Sequence, residues 1–450
     1  MKFKKVMVLA MAGVMTIGTL AGCSGGSGST ESSGDAEAST EAAAEESTEA
    51  AADAETQDDE EVTIKVALWD YSSTEYYHTM FDAFTEKYPN IKYEVVEFSA
   101  DEYPTAIQTQ LAAQTDFDVV FLKDLPTMSQ LISQGHLTPI DDYIANDDSF
   151  DTANYSGLIE QLAVDGSTYG VPFRKDNNMI FYNKDLFDAA GVDYPTDGMT
   201  MEEYEALAEK MTSGTGNEKV YGAHMHTWAS NAYMYERRTE NFNPVDTSTY
   251  DNLINAYKVL LDMQDKGYIQ DYGSLKASNI HYSGVFYNQQ AAMLQMGTWF
   301  INLLCENVTF NWGVCSLPSA DGEGNDKAVG GVTPVCIGGY SEHPDAAWKF
   351  ITYVCGEEGA KVIADCGVLP GYGSDAINDI FDGLAEKYEG VPEGLSKYID
   401  LDTYVIEFPM DTRAKDIDTI LTEEHSAIMT NTETPEEGVQ NMIDRVNALQ

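Results

Sequence analysis

Positive charge is what this 450-residue sequence has least of: 25 Lys plus Arg stand against 75 Asp plus Glu, for a formal net charge of −50. A protein that relies on a basic surface to grip nucleic acid is therefore excluded. Recognisable catalytic signatures are missing too. There is no phosphate loop, no Gly-x-Ser-x-Gly elbow and no dinucleotide-binding glycine fingerprint. Histidine numbers only seven. His224 and His226 would share a face of an extended segment, but no Cys or His stands at the distance needed to complete a four-ligand zinc site. Asp321 to Asp326 resembles a calcium loop only superficially, since Asp326 occupies the sixth position, where Gly is needed, and Val332 the twelfth, where Glu is needed. No metal and no cofactor are expected. Cysteine is scarce as well, six in all. Cys305, Cys315, Cys336, Cys355 and Cys366 follow Cys23, an odd set that allows at most two disulfides within one chain. A core of this size does not need staples, so most of the five read as small buried hydrophobes, with Cys355 and Cys366 left open.

What is present is material for a large core: 43% hydrophobic and 11% aromatic residues, including 27 Tyr. The length suggests two to three domains at about 150 residues each. The charge is unevenly placed. Residues 1–22 carry only Lys2, Lys4 and Lys5, whereas residues 24–61 carry 13 acids and no base, which leaves −40 on residues 62–450. The three lysines precede an uncharged apolar run of 15 residues, Val6 to Leu20, too short to span a bilayer comfortably and matching a secretory signal over residues 1–22. The run stops at Leu20-Ala21-Gly22-Cys23. This resembles the lipobox of bacterial lipoproteins, which implies lipidation at Cys23. The other reading is plain cleavage at a small-residue site, with Cys23 a bystander. Residues 24–61 hold Gly, Ser, Thr, Ala, Asp and Glu but no aromatic residue. They cannot bury enough apolar surface to offset their ordering entropy. Together with Cys23 they form a flexible tether, 23–61, with an end-to-end distance of about 35 Å.

From Val62 the pattern changes. Val62, Ile64, Val66 and Leu68 alternate with Thr63, Lys65, Ala67 and Trp69, a strand with Trp69 at its C-terminal end. Ser72 with Glu75 offers a capping box, and Tyr77, Met80, Phe81, Phe84 and Tyr88 recur at helical spacing until Pro89. A strand over Ile91 to Phe98, a helix face of Tyr103, Ile107 and Leu111, a buried strand over Phe117 to Leu122, and a helix through Met128 and Leu131 follow. Strands separated by helices predict an α/β fold with a parallel, helix-flanked sheet. Ligands of such sheets sit beyond the carboxyl ends of the strands, where Trp69, Asp70 and Asp124 fall. Trp69 could instead pack under a loop, and Asp124 could simply cap the next helix. At the far end, Thr434, Pro435 and Glu437 predict a capped helix with Val439, Met442, Ile443, Val446 and Leu449 on one stripe.

Several segments, in order and at consistent spacing, resemble the extracellular solute-binding proteins of bacterial ABC importers, specifically the branch that carries sugars. They include Lys87-Tyr88-Pro89-Asn90-Ile91, Asp118-Val119-Val120 with Asp124, Gly135 to Tyr143, Tyr169-Gly170-Val171-Pro172, and Phe181 to Phe187. Later come Met296-Gly297-Thr298-Trp299, Trp312-Gly313-Val314, Gly330-Gly331, Ala346 to Phe350, Gly367 to Pro370, and Thr434 to Glu437. The resemblance implies a two-lobed periplasmic-binding-protein fold of type II, with discontinuous lobes joined by hinge strands. Residues 62–172 with 329–385 would form lobe 1, and 175–327 with 390–450 lobe 2. It implies a lipid-anchored receptor on the outer face of the cell membrane, not an enzyme. Such a receptor captures a sugar between its lobes, closes, and hands it to membrane permease subunits, and it is expected to be a monomer. A binding protein for a peptide or polyamine, a solute sensor, and a glycosidase are the alternatives, the last because carboxylates and aromatics also line glycosidase clefts.

A sugar site needs flat aromatic faces and fixed hydrogen-bonding partners. Trp312 and Trp348 sit in a short apolar strand and an apolar helix face and are assigned to the core, which leaves Trp69, Trp228 and Trp299. Trp299 follows Gly297 where the family often places a stacking aromatic. With Asp70 and Asp124, the remaining candidates are Arg174 near the expected hinge, Gly331 for close backbone approach, and Tyr372 and Arg413 late in the chain. Tyr182 and Asn183 read as mainly structural.

Overall fold

The computed structural model describes residues 61–100, 102–401 and 403–449. The signal, Cys23 and the acidic tether lie outside them.

The first elements follow the sequence pattern closely. Strand β1 (Val62–Trp69), helix α1 (Glu75–Lys87), strand β2 (Ile91–Phe98), helix α2 (Tyr103–Ala112), strand β3 (Val119–Phe121) and helix α3 (Leu125–Ser133) alternate. β1 pairs in parallel with β2, from Val62 opposite Ile91 to Trp69 opposite Phe98, and with β3. Towards its C-terminal end β1 is buried on both faces, Ala67 as well as Val66 and Leu68, in the stretch where β3 pairs alongside it from Val66 onward. The capping box expected at Ser72 does not form. Ser72 lies in a short 3-10 turn, its amide donates to Glu97 Oε1 at 2.9 Å and its hydroxyl to Glu97 Oε2, and α1 starts two residues later than that cap would set it, after Thr74.

The sheet is not wholly parallel, contrary to the expectation from the β/α alternation. β4 (Gly170–Lys175) leads through Asp176 and Asn177 into β5 (Asn178–Asn183) and α4 (Lys184–Ala190). β6 (Tyr221–His224), α5 (Ser230–Arg238), β7 (Ala291–Gly297), α6 (Trp299–Asn307) and β8 (Trp312–Ser316) follow. The chain then runs through β9 (Lys327–Gly330), β10 (Val332–Ile337) and α7 (Pro344–Cys355), and ends with β11 (Thr403–Ile406), α8 (Ala414–Met429) and α9 (Pro435–Asn447). The first sheet has the order β2-β1-β3-β10-β4, with β10 antiparallel to both its neighbours. The second has the order β8-β5-β7-β6, antiparallel except between β6 and β7. β9 and β11 pair in parallel as a separate two-stranded sheet. A core of aromatic and aliphatic side chains from α1, α2 and α7 covers the first sheet, and separate cores pack the second sheet.

Trp312 and Trp348 are buried in these cores, as are Cys305, Cys315, Cys336 and Cys355. Asn183 caps α4 by accepting from the Leu186 amide at 3.1 Å. The expected capping box opens α9, with Thr434 Oγ1 accepting from the Glu437 amide and the Glu437 carboxylate accepting from the Thr434 amide. Val439, Met442 and Val446 are buried along its stripe.

The chain passes between the two sheets at close quarters. Asp176 and Asn177 alone separate β4 from β5, and Gly331 alone separates β9 from β10. The Asp176 amide donates to the Gly331 carbonyl at 3.0 Å, and the Glu407 amide to the Gly330 carbonyl at 2.7 Å. A Cβ on Gly330 would lie 1.9 Å from the Asp176 carbonyl oxygen. The atoms it would meet are the Asp176 carbonyl and Cβ, none of them the far end of a flexible side chain. Gly330→Ala should therefore destabilise the protein by about 2–3 kcal/mol. Gly383→Ala, inside helix Asp375–Lys387 with nothing within 4 Å of the new Cβ, should stabilise by up to about 1 kcal/mol. Urea midpoints of both variants check the contrast, and equal behaviour would contradict the close approach at Gly330.

Candidate functional site

A cleft of 490 Å³ opens where the C-terminal ends of the first sheet meet the segments around Trp228 and α8. Lys123 and Asp124 line it from the loop after β3, Leu125 and Pro126 from the first turn of α3, and Gly331 and Val332 from the entry into β10. Thr227 to Ser230, Tyr233 and Lys276 line it from the second sheet's side, and Glu407, Phe408, Lys415, Asp418 and Thr422 from β11's end and α8.

Three of the residues singled out from sequence meet here: Asp124, Trp228 and Gly331. Asp124 does both things considered for it. Its Oδ1 accepts from the Thr127 amide at 2.7 Å, capping α3, and it faces the cleft. Trp228 is 40% exposed, unusual for so large an apolar ring. Three rings hold it in place, with centroids at 4.4 Å for His226, 5.5 Å for Tyr282 and 6.1 Å for Trp299. Gly331 has only Glu407 Oε2 near a notional Cβ, at 3.6 Å.

Trp299, Arg174 and Trp69 are absent from the cleft lining but connect to it through neighbours. Trp299 donates from Nε1 to the Tyr282 hydroxyl at 3.2 Å. Its ring folds back over Gly297, where a Cβ would sit 1.8 Å from it, so glycine at 297 is what permits this rotamer. The Thr298 hydroxyl, just before it, reaches Asp176 Oδ1 at 3.4 Å. Arg174 donates from Nε to Thr333 Oγ1 at 3.1 Å, and its guanidinium lies 5.6 Å from the centroid of Trp69. The ammonium of Lys123, a cleft residue, lies 5.3 Å from the same ring. Trp69 itself is 7% exposed.

The other three lie apart. Asp70 adopts a left-handed conformation, φ 51°, and its Oδ1 accepts from the Ala100 amide at 3.0 Å, tying two loops together. Tyr372 packs edge-on against Tyr155 and borders two other surface hollows. Arg413 turns to Asp411, with Nη2 at 2.8 Å from Oδ2, and to the Val245 carbonyl.

Sequence reading missed the carboxylates that give the site its electrostatic character. Burial pushes the Glu407 carboxyl up to about 7, helped by repulsion from Asp418, while the Tyr233 hydroxyl donates to Oε1 at 3.3 Å. Burial also raises Asp418, with Asp124 adding to the effect and Lys415 opposing it. Asp176 is pushed up to about 6 by burial, against the pull of Arg174 and Thr298. A signal was available, since Glu407 interrupts the apolar run Val405-Ile406-Glu407-Phe408. Lys123, Lys276 and Lys415 offset Asp124, Glu407 and Asp418, so the lining carries no formal net charge. His224 and His226 lie with ring centroids 6.0 Å apart. Burial drives His224 down to about 4 and His226 down to about 3. Among the described residues no group of three or more His, Cys, Asp or Glu is placed to hold a metal ion.

Comparison with known proteins gives this geometry its context. The sugar transporter RHE_PF00321 from Rhizobium etli, solved in an open conformation, is 34% identical, with a TM-score of 0.74 over 86% of this chain and 100% of that one. The ABC substrate-binding protein Lmo0181 from Listeria monocytogenes, solved in complex with cycloalternan, shares the two-lobed fold at 22% identity and a TM-score of 0.74, over 86% of this chain and 98% of that one. The putative binding protein BAB2_0491 of Brucella abortus is 25% identical over 332 residues, 71% of this chain and 78% of its own length. The profile of the bacterial extracellular solute-binding proteins matches residues 71–361, well over half the sequence. The chain belongs to that family, which is one of binding proteins rather than enzymes.

Proposed function

We propose that the protein captures a neutral sugar or oligosaccharide in the 490 Å³ cleft and delivers it to the permease of an ABC importer. The observation that carries this reading is a charge-balanced, aromatic-edged cleft in a molecule whose acids outnumber its bases three to one. A polyamine would call for an excess of carboxylates and an anion for an excess of cations; three of each suit a ligand that is polar without charge. Trp228 presents an apolar face for a sugar ring. Asp124, Lys123 and the Tyr233–Glu407 pair supply donors and acceptors for hydroxyls. Gly331 leaves room beside backbone, and Trp69 with Arg174, and Trp299, support the lining from behind through Lys123 and Trp228.

In this reading lobe 1 is 62–172 with 329–385 and lobe 2 is 175–327 with 390–450. The ligand first meets one lobe, and contacts from the other favour the closed form, the differential affinity that a ligand-driven shift requires. Cys23 carries the lipid anchor, palmitate among its acyl chains, and the acidic tether lets a monomeric body swing on the outer membrane face. Titration of mono- and oligosaccharides, followed by thermal shift and small-angle scattering, should give a saturable rise in melting temperature together with compaction. Trp228→Ala should weaken that binding by tenfold or more while leaving the melting curve of the free protein nearly unchanged. Binding without compaction would remove hinge closure, and a polyamine response with no sugar response would remove the sugar.

Glu407 makes the cleft pH-sensitive in a definite direction. Its folded-state value, about 7, stands above the roughly 4.3 of an unfolded glutamate. Its contribution to stability is therefore present at low pH and is lost as pH rises through 7. Glu407→Gln keeps an acceptor for Tyr233 and removes the buried charge. Its stability relative to the native protein should grow by about 2 kcal/mol between pH 5 and pH 8. A difference that stays flat over that range would place the Glu407 carboxylate in water.

A further inference from the structure

A second pocket, of 160 Å³, lies beside the residues that pass between the two sheets, and its chemistry is opposite to that of the cleft. Arg238, Lys327 and Lys397 line it with Asn178 and Ser316, against one acid, Asp197. Arg238, in the last turn of α5, is 1% exposed. Its Nη1 donates to Asn325 Oδ1 at 3.2 Å and its Nη2 to the Glu323 carbonyl at 3.3 Å, both neutral acceptors. Its Nε has no partner and among the described residues no carboxylate forms an ion pair with it, although Asp197, Asp321 and Asp326 lie near enough to favour its charge. Asp197 is already engaged, through Oδ1 by the Ser316 amide at 2.9 Å and through Oδ2 by Lys397. Lys327 reaches outward to the exposed Glu240.

A buried guanidinium satisfied only by neutral groups costs several kcal/mol relative to one that meets an anion. Two ammonium groups at the mouth of the same pocket add attraction for negative charge: the exposed Glu240 holds Lys327 only weakly, while Lys397 would be shared between Asp197 and the anion. A planar guanidinium with point-charge ammoniums suits an anion with several oxygens better than a halide. We infer that this pocket is a binding site for a small tetrahedral oxyanion of the phosphate or sulfate type. The oxyanion is drawn by Arg238 at the buried side and held by Lys327 and Lys397 at the mouth. The site is separate from the cleft and stands whatever the cleft holds. Asn177 of the β4–β5 link also lines the pocket, and Lys327 begins β9 and Asn178 begins β5, so the bound anion sits beside one of the segments that link the sheets.

The test is thermal unfolding of the protein in sodium phosphate against sodium chloride at equal ionic strength, which cancels the general screening of surface charge. Phosphate should raise the melting temperature saturably, by about 2–4 °C at the plateau. Arg238→Met removes a buried side chain and risks the fold, so the deciding variant is the double substitution Lys327→Met with Lys397→Met, both at the solvent side. That variant should melt normally in chloride and lose the phosphate response. Identical melting of the native protein in the two salts, or a full phosphate response in the double variant, would overturn the site.

Discussion

The hydroxyl of Tyr404 lies 2.7 Å from the carbonyl oxygen of Asp176 and 2.8 Å from that of Gly331. That contact draws three separate stretches of chain into one cross-section. β11 brings the tyrosine, the β4 to β5 link brings Asp176, and the β9 to β10 link brings Gly331. Each stretch carries backbone groups that water would otherwise satisfy, and at this depth they must satisfy one another. The amides of Asp176 and Glu407 donate to the carbonyls of Gly331 and Gly330. With donors and acceptors matched, the stretches approach until only glycine fits at 330. The cleft inherits its floor from this arrangement, because Gly331 and Glu407 are the next residues along two of the same stretches.

That approach also explains the unusual acid–base character of the site. A carboxylate attached to a crowded crossing cannot turn to water without breaking the crossing. Asp176 and Glu407 therefore feel the loss of solvent as the first cause of their raised values, and neither has a salt-bridge partner among the described residues that would restore the charged form. Outside the crossing the same residue types behave differently. Burial opposes the charge of Asp411 too, but the Arg413 pair beside it outweighs that and holds its carboxyl below the ordinary range. The protein's acid excess is thus carried by its exposed residues and by the acid-rich segment 24–61, while its few buried charges are governed by backbone geometry.

Local patterns in the sequence were enough for the elements they directly describe. The alternation of Val62 to Trp69 and the 3.6-residue stripes of α1, α2 and α9 report one face of one element, and each element formed where its pattern lay. Thr434 and Glu437 specify their cap because both partners lie within one turn. Ser72 shows the limit of that logic: Glu97, on β2, competes for its hydroxyl, and nothing within one turn of Ser72 announces it. The antiparallel strand β10 is a larger case. It enters the first sheet more than 200 residues after β3, and its near-continuous apolar sequence carries no mark of direction or partner. The site divides in the same way. Trp228 and Asp124 could be chosen for their residue type and neighbours. Arg413 is of an equally suitable residue type, but it pairs with Asp411 two residues away and lies outside the cleft lining.

The aromatic edge of the cleft depends on rigidity more than on the number of rings. Trp299 spends one face on the backbone at Gly297 and its Nε1 on Tyr282, and Tyr282 in turn meets Trp228 at 62°. Trp228 therefore rests against a wall whose own rotamers are fixed, and a ring already ordered loses little freedom when a ligand stacks on it. His226 completes the wall at 78° to Trp228. Burial, with His224 and His281 adding to the effect, keeps its imidazole neutral far below the ordinary histidine range, so the face behind Trp228 does not gain charge in mildly acidic surroundings. Glu407, on the other side of the cleft, changes charge near neutrality. The aromatic side of the cleft thus keeps its charge over the range in which the carboxylate side varies, so for a ligand bound there as proposed any pH dependence must enter through the carboxylates and not through the rings.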